Sequence, residues 1–271
     1  VAAVENGGNT LAQYTQVYII HAGDGEESDP LFSDNIWSVY YFNGPRAGGT
    51  RGNPPATGNG YSSYGIMAET ERTTLGAVKD PLGVWVHEYA HGLGFPDMYY
   101  ASGENVNAKT GHWEVMSLGL WNGDGSSTAP YGAFPAYTLT INQYVRGWIP
   151  SGQVRQAFVG SPENFTIQLT PIEVFTGLVV VRINLPSGSA YYVEARSQLG
   201  FDSYIPENGI IITYASGGPS TARVINATPA DPTLNHGAWQ PGQMFTDPGG
   251  HIRIKIVSYS SGLWTVNIAV S

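Results

Sequence analysis

Two histidines and a glutamate lie close together in the segment from His87 to Asp97, which reads His-Glu-Tyr-Ala-His-Gly-Leu-Gly-Phe-Pro-Asp. Residues four apart lie on one face of an α-helix, so His87 and His91 can present two imidazoles to one Zn²⁺ ion. Glu88 can project beside them toward a water molecule, for which it would serve as general acid and base. The spacing therefore predicts a zinc site with a catalytic carboxylate.

The sequence around the histidines predicts the helix that this chemistry needs. Asp80 suits the N-cap and Pro81 the first helical position. A buried stripe at helical spacing follows, formed by Leu82, Val86, Ala90 and Leu93. Gly92 and Gly94 can adopt positive φ, ending the helix and turning the chain so that Asp97 comes back to the metal.

The predicted zinc ligands are therefore His87, His91 and Asp97. Glu114 is a competing third ligand, because some zinc enzymes take a glutamate from a more distant segment. Asp97 is favoured because the glycine turn delivers it directly.

The pattern HExxHxxGxxD is matched by His87, Glu88, His91, Gly94 and Asp97. With this motif, the chain resembles the M6, immune inhibitor A-like metallopeptidases of the metzincin clan. Further segments resemble the family in its order over roughly residues 14 to 215. They are 19–27, 36–38, 113–117, 146–149, 192–196, 200–202 and 209–211.

The resemblance implies a secreted bacterial zinc endopeptidase with a metzincin-like catalytic domain. It places Met116, in Trp113-Glu114-Val115-Met116-Ser117, in the Met-turn, which forms an apolar floor beneath the metal without binding it. It also implies a latent precursor with an inhibitory pro-segment. Because the chain begins with Val1 and not with Met, we expect it to be a processed or trimmed form.

A second cluster of candidate ligands lies in the loop after the apolar strand 17–20. Its five carboxylates are Asp24, Glu26, Glu27, Asp29 and Asp34. Hard oxygen ligands on a flexible loop suit Ca²⁺. A solvated acidic loop is the usual explanation of such a run, and resemblance to calcium-bearing M6 enzymes makes a calcium site an equal alternative.

Composition restricts the partners and the compartment. A net charge of -9 would repel nucleic-acid phosphates, and no run of 18 apolar residues could span a membrane. Only 12% of residues are charged, about half the globular average, which suits an extracellular protein. With no cysteine, the fold has no disulfides, and we expect a monomer acting on protein or peptide substrates.

The chain changes character near residue 150, so we predict an α+β protein with two domains. Residues 1–150 would form the catalytic domain, with strands at 17–20 and 66–71 and a second helix around 134–145. Residues 151–271 would form an antiparallel, sandwich-like β-rich domain packed on it. Alternating apolar residues at 252–256 and 264–270, joined by Ser260-Ser261-Gly262, predict a terminal hairpin.

Two function classes remain open. The favoured one is a zinc-dependent endopeptidase, and the alternative is a noncatalytic or degenerate M6-like binding protein that retains a zinc site. Glu88 separates them, because a structural zinc site closes all four positions with ligands and needs no carboxylate beside the metal. An exopeptidase would need a group that anchors a substrate terminus, and the sequence reveals none.

Overall fold

A computed structural model describes residues 16–28, 35–42, 63–72, 78–99 and 109–271. The described residues divide into two compact units. The first contains those up to Phe95 together with Asp124–Ala133, and the second contains Pro96–Gly123 and Phe134–Ser271. Residues 96–123 and 134–150 thus belong to the same compact unit as the strands after residue 150.

The first unit is a small mixed sheet with one helix. Strand β3 is central, with β1 parallel to it and both β2 and β4 antiparallel to it. The elements are β1 (Val17–Asp24), β2 (Val39–Phe42), β3 (Ser63–Arg72), β4 (Val78–Lys79) and helix α1 (Leu82–Gly92).

Side chains on α1 fix the helix against this sheet. The indole N–H of Trp85 donates to the carbonyl of Ala68 on β3 at 2.8 Å. On the same helix, the ring of Tyr89 lies 5.6 Å from that of Tyr18 on β1, which also contacts Tyr40 on β2. The helix that carries the two histidines is therefore tied to all three long strands of the sheet.

The second unit consists mainly of strands, so the described protein is mostly β with few helices. One sheet has the order β10-β9-β8-β7-β5 and the other β11-β12-β13-β6. Their bounds are β5 (Val154–Phe158), β6 (Glu163–Leu169), β7 (Val180–Asn184), β8 (Ala190–Arg196), β9 (Gly209–Ala215), β10 (Arg223–Val224), β11 (Met244–Thr246), β12 (Ile252–Ser260) and β13 (Leu263–Val270). β5 pairs with β7 in parallel, while the other pairs of strands 5 to 13 in these two sheets are antiparallel.

The two sheets share one apolar core, to which β8 and β9 contribute from one side and β12 and β13 from the other. On β12 the isoleucines are buried and Arg253 and Lys255 are exposed, which confirms the predicted alternation. Ser261 and Gly262 both have positive φ, at 52° and 78°, and join β12 to β13. The predicted terminal hairpin is thereby confirmed.

The second helix, α2 (Thr140–Val145), is shorter than predicted. It begins where two distant carboxylates accept its first N–H groups. Glu114 accepts from Leu139 at 2.6 Å, and Glu194 accepts from Thr140 at 2.8 Å. Residues 134–139 therefore approach the helix in a non-helical conformation.

No helix in the described ranges has the length and apolar character needed to cross a membrane.

A buried charge cluster lies where β8 ends. The Arg196 side chain has no exposed surface and contacts Asp202 at 2.5 Å, Glu173 at 3.2 Å and Glu194 at 3.3 Å. Burial alone would lower the pKa of Arg196, but the three carboxylates raise it above its usual value. Arg196 also donates to the carbonyl oxygens of Trp113 and Tyr137.

We expect Arg196→Met to destabilise the protein by about 3–5 kcal/mol, because it leaves buried carboxylates without their cation. Urea unfolding would measure the change. Arg155→Met is the control, because Arg155 pairs with Glu163 at 2.5 Å on the surface, where a pair contributes at most about 1 kcal/mol. Equal losses in the two variants would contradict the role given to the buried cluster.

Candidate metal centre

Helix α1 begins with a side-chain cap, one residue later than predicted. The Asp80 carboxylate accepts from the N–H of Leu82 at 2.9 Å, and Pro81 occupies the cap position itself. Asp80 satisfies one of the N–H groups that have no partner inside the helix. Asp80, the predicted N-cap, thus lies one position before the cap, and its carboxylate accepts from the first helical residue.

The end of α1 is a Schellman turn. The N–H of Phe95 donates to Ala90 O at 3.0 Å, the N–H of Gly94 donates to His91 O at 2.8 Å, and Gly94 has a φ of +86°. Gly92 is the last helical residue and does not have positive φ. A Cβ there would lie 2.6 Å from the side-chain amide of Gln16, which would have to move to make room.

The helix brings three predicted site residues together. The ligand atoms of His87, Glu88 and His91 all lie within 4.8 Å of one another, and no other such group of three occurs in the part of the chain that the structure describes. The two imidazole rings are perpendicular, with centroids 4.8 Å apart. His87 and Glu88 are buried, and His91 is partly exposed. Two imidazoles at this separation fit a zinc ion, with the carboxylate of Glu88 beside them.

A backbone carbonyl fixes the tautomer of His91. Its Nδ1 lies 2.8 Å from the carbonyl oxygen of Phe95. A carbonyl can only accept, so Nδ1 carries the hydrogen and the lone pair of the neutral ring is on Nε2. Metal-binding histidines are commonly oriented in this way.

Two tyrosines of the sheet lie within electrostatic reach of Glu88. Burial raises the pKa of both Tyr18 and Tyr41, and the Glu88 carboxylate raises them further. Both phenols are therefore neutral at physiological pH. Sequence reasoning did not single them out, because seventeen tyrosines carry no spacing signal.

Asp97, the predicted third ligand, is exposed and is not a member of the group formed by the two histidines and Glu88. Its backbone carbonyl accepts from the Lys109 ammonium at 3.5 Å. Burial lowers the pKa of Lys109, and the charge of Asp97 opposes that shift.

Met116 and Glu114 are both fully buried. The N–H of Met116 donates to Oε1 of Glu114 at 3.1 Å, and the other carboxylate oxygen, Oε2, accepts from Leu139 N–H at 2.6 Å and from the Thr138 hydroxyl at 3.1 Å. Burial raises the pKa of Glu114 to about 7, and these hydrogen bonds offset part of the shift. Both oxygens of Glu114 are thus committed to protein donors.

The acidic loop is described only in part, since Asp29 and Asp34 lie outside the described residues. Asp24 accepts from the Thr70 hydroxyl at 2.6 Å. Glu27 accepts from the N–H of Ser38 at 3.1 Å, and Glu26 is buried.

A further acid that the sequence analysis did not include, Glu71, is also buried beside this loop. A Cβ on Gly25 would lie 2.5 Å from an oxygen of Glu71 and 2.7 Å from one of Glu27. These two carboxylates therefore pack on the bare backbone of Gly25.

A family model described as the Immune inhibitor A peptidase M6 catalytic domain matches residues 12–149, about half of the chain. The chain belongs to the M6 peptidase family. The predicted resemblance is confirmed. The matched region contains α1 with His87, Glu88 and His91. It also contains Asp97 and Met116, and it ends before β5.

Two M6-type relatives illustrate the extent of the similarity. Immune inhibitor A of Bacillus thuringiensis subsp. alesti is 38% identical over 121 residues, which are 41% of this chain and 16% of that protein. The pre-pro-metalloprotease PrtV of Vibrio cholerae serotype O1 (strain M66-2) is 34% identical over 144 residues, 50% of this chain and 15% of that protein. The aligned part thus spans about a sixth of the length of these relatives.

Proposed function

We propose that this protein is a zinc-dependent endopeptidase that hydrolyses peptide bonds with Glu88 as general acid and base. The observation that carries the proposal is the group of His87, Glu88 and His91 on one helix within the matched M6 catalytic domain. A structural site would not need Glu88, which disfavours the alternative of a noncatalytic binding protein.

His87, His91 and Asp97 would hold the zinc ion. When bound, zinc supplies Lewis acidity, which polarises a peptide carbonyl and makes water acidic enough to react near neutral pH. The hydrogen bond from His91 Nδ1 to Phe95 O supports a role for the Nε2 atom as a ligand. The ligand role of Asp97 is proposed from its place in the motif, three residues after Gly94.

Glu114, the competing third ligand, is disfavoured by its surroundings. Its carboxylate accepts from Met116, Leu139 and Thr138, so binding a metal would cost several of these buried hydrogen bonds. If Glu114 bound a metal and no longer accepted these hydrogen bonds, the N–H groups of Met116 and Leu139 would lose their acceptor. We therefore assign the third position to Asp97.

Glu88 would move protons between defined atoms. Its carboxylate takes a proton from the attacking water and delivers it to the leaving amine nitrogen, so no covalent acyl-enzyme forms. The buried setting keeps this carboxylate beside the two imidazoles, and the nearby neutral phenols of Tyr18 and Tyr41 add no competing charge.

The wider properties of the enzyme are proposed from the family. They include a metzincin-like α+β catalytic domain with Met116 in the Met-turn, a β-sandwich after residue 150, secretion from a bacterium, and protein or peptide substrates. The buried position of Met116 and the shared core of the two sheets support the first two. The name of the Vibrio relative, a pre-pro-metalloprotease, supports a precursor with an inhibitory pro-segment.

We expect Glu88→Gln to retain zinc and lose at least about a hundredfold of the activity on an unfolded protein substrate, because size is kept and proton transfer is lost. Glu69→Gln is the matched control, since Glu69 is exposed on β3 of the same unit. Activity within a few-fold of wild type would remove Glu88 from the mechanism. A wild-type protein that binds zinc and cleaves nothing would favour the binding-protein alternative.

For the ligands, we expect His87→Ala and Asp97→Ala each to lose most of the zinc measured by metal analysis after dialysis. The reason is that each variant removes one of three protein ligands. His236→Ala should keep full occupancy, because His236 is exposed and lies outside the motif. Full occupancy in the Asp97 variant would instead assign the third ligand to Glu114.

We also propose that the acidic loop binds Ca²⁺ through Asp24, Glu26 and Glu27, with Asp29 and Asp34. The support is the grouping of oxygen ligands at the start of the loop, where Glu27 and Glu71 pack together on Gly25 and Glu26 is buried. The described carboxylates do not form a compact group of three, so Asp29, Asp34 or backbone oxygens would complete the site.

Calcium should raise the melting temperature, because a ligand that binds only the native state at a hundredfold excess over its Kd adds about 2.7 kcal/mol. We expect Glu26→Gln with Asp29→Asn to abolish this response and the control Glu69→Gln to keep it. A melting temperature that is indifferent to millimolar calcium would identify the loop as solvated acid.

A further inference from the structure

The buried carboxylate of Glu114 occupies a position between two parts of the second unit. Its Oε1 accepts from the N–H of Met116, and its Oε2 accepts from the start of α2. Its backbone carbonyl also accepts from Ser117 at 3.0 Å and Gly119 at 3.1 Å. All three oxygens of this residue therefore shape the turn that contains Met116 or join that turn to the helix.

Contacts among four residues form a closed ring. From Glu114 the ring passes to Met116, whose carbonyl accepts from the N–H of Met98 at 2.7 Å. The sulfur of Met98 lies 3.0 Å from Nδ2 of Asn142, and the same amide lies 3.4 Å from Oε2 of Glu114. Each of the four is at most 1% exposed. A closed ring of buried contacts resists displacement of any one member.

The ring holds the residue next to the proposed third ligand. Met98 directly follows Asp97, and its carbonyl accepts from the Thr110 hydroxyl at 2.8 Å. With both its N–H and its carbonyl bonded, the peptide units around Met98 are fixed. The position of the Asp97 main chain is consequently set by Met116 and, through it, by Glu114.

We propose that Glu114 is a positioning residue for the metal centre. It joins the turn that contains Met116 to the start of α2 and thereby holds Met116 and the Asp97–Met98 segment in place. This inference rests on the proposed zinc site, and it gives Glu114 a role other than the ligand role that its sequence position suggested. Groups that orient metal ligands commonly change metal affinity by about ten- to hundredfold when they are replaced.

Glu114→Gln tests this role. A glutamine has one acceptor oxygen and one NH₂ group, so it can accept from Met116 or from Leu139 but not from both. We expect zinc affinity, measured by competition with a chelator, to fall at least about tenfold. The visible absorption spectrum of the Co²⁺-substituted protein should also change, because the ligand geometry would change.

Glu194→Gln is the matched control. Glu194 is equally buried, pairs with Arg196 at 3.3 Å and accepts from the N–H and the hydroxyl of Thr140 at the start of the same helix, but it is not a member of the ring. We expect it to lower the urea midpoint while leaving the Co²⁺ spectrum and the zinc affinity within about twofold of wild type. An equal loss of zinc in both variants would overturn the proposal in favour of general destabilisation.

Asn142→Leu separates positioning from direct binding to the metal. It removes the amide that contacts Met98, Glu114 and, at 2.9 Å, the Thr138 hydroxyl, which itself donates to Glu114. The Asn142 Oδ1 atom has no hydrogen-bond partner to lose. We expect Asn142→Leu to lower the zinc affinity and to change the Co²⁺ spectrum, as Glu114→Gln does. If Glu114→Gln does not fold, Asn142→Leu alone tests the role. An unchanged spectrum and zinc affinity in the Asn142 variant would overturn the proposal. A wild-type protein that binds neither zinc nor Co²⁺ would overturn the zinc site itself.

Discussion

Arg196 has no exposed surface, so its charge must be stabilised entirely by the protein groups around it. Those groups come from distant parts of the sequence. They are the carboxylates of Glu173, Glu194 and Asp202 and the backbone carbonyls of Trp113 and Tyr137. Since a buried charge is costly without full coordination, the segments that supply these groups must converge on β8 for the second unit to fold.

This convergence explains why the β-rich half is coupled to part of the matched peptidase region. The carbonyl of Trp113 accepts from Arg196, and the indole of Trp113 donates at 2.9 Å to the carbonyl of Leu234, in a loop before β11. The turn that contains Met116 begins immediately after this residue. Strands that lie outside the family match thus support a segment inside it.

Local patterns in the sequence predicted the motif helix, the site histidines and the terminal hairpin because neighbouring residues determine each of them. Apolar spacing marks α1, and alternation marks β12 and β13. The start of α2 was not predictable in this way, since its capping carboxylates lie 25 and 54 residues from the groups they accept from. Likewise, the sequence pointed to Glu114 only as a competing zinc ligand, because the groups that donate to it become evident only in three dimensions.

The Phe95 backbone has two roles at the end of α1. Its N–H closes the Schellman turn and its carbonyl orients the imidazole of His91. Neither role depends on the identity of the side chain at position 95. For the orientation of the histidine, only the backbone at position 95 matters, whereas inserting or deleting one residue between His91 and Phe95 would misalign the carbonyl. The length of this four-residue interval is therefore a constraint that is separate from the packing of the buried Phe95 side chain.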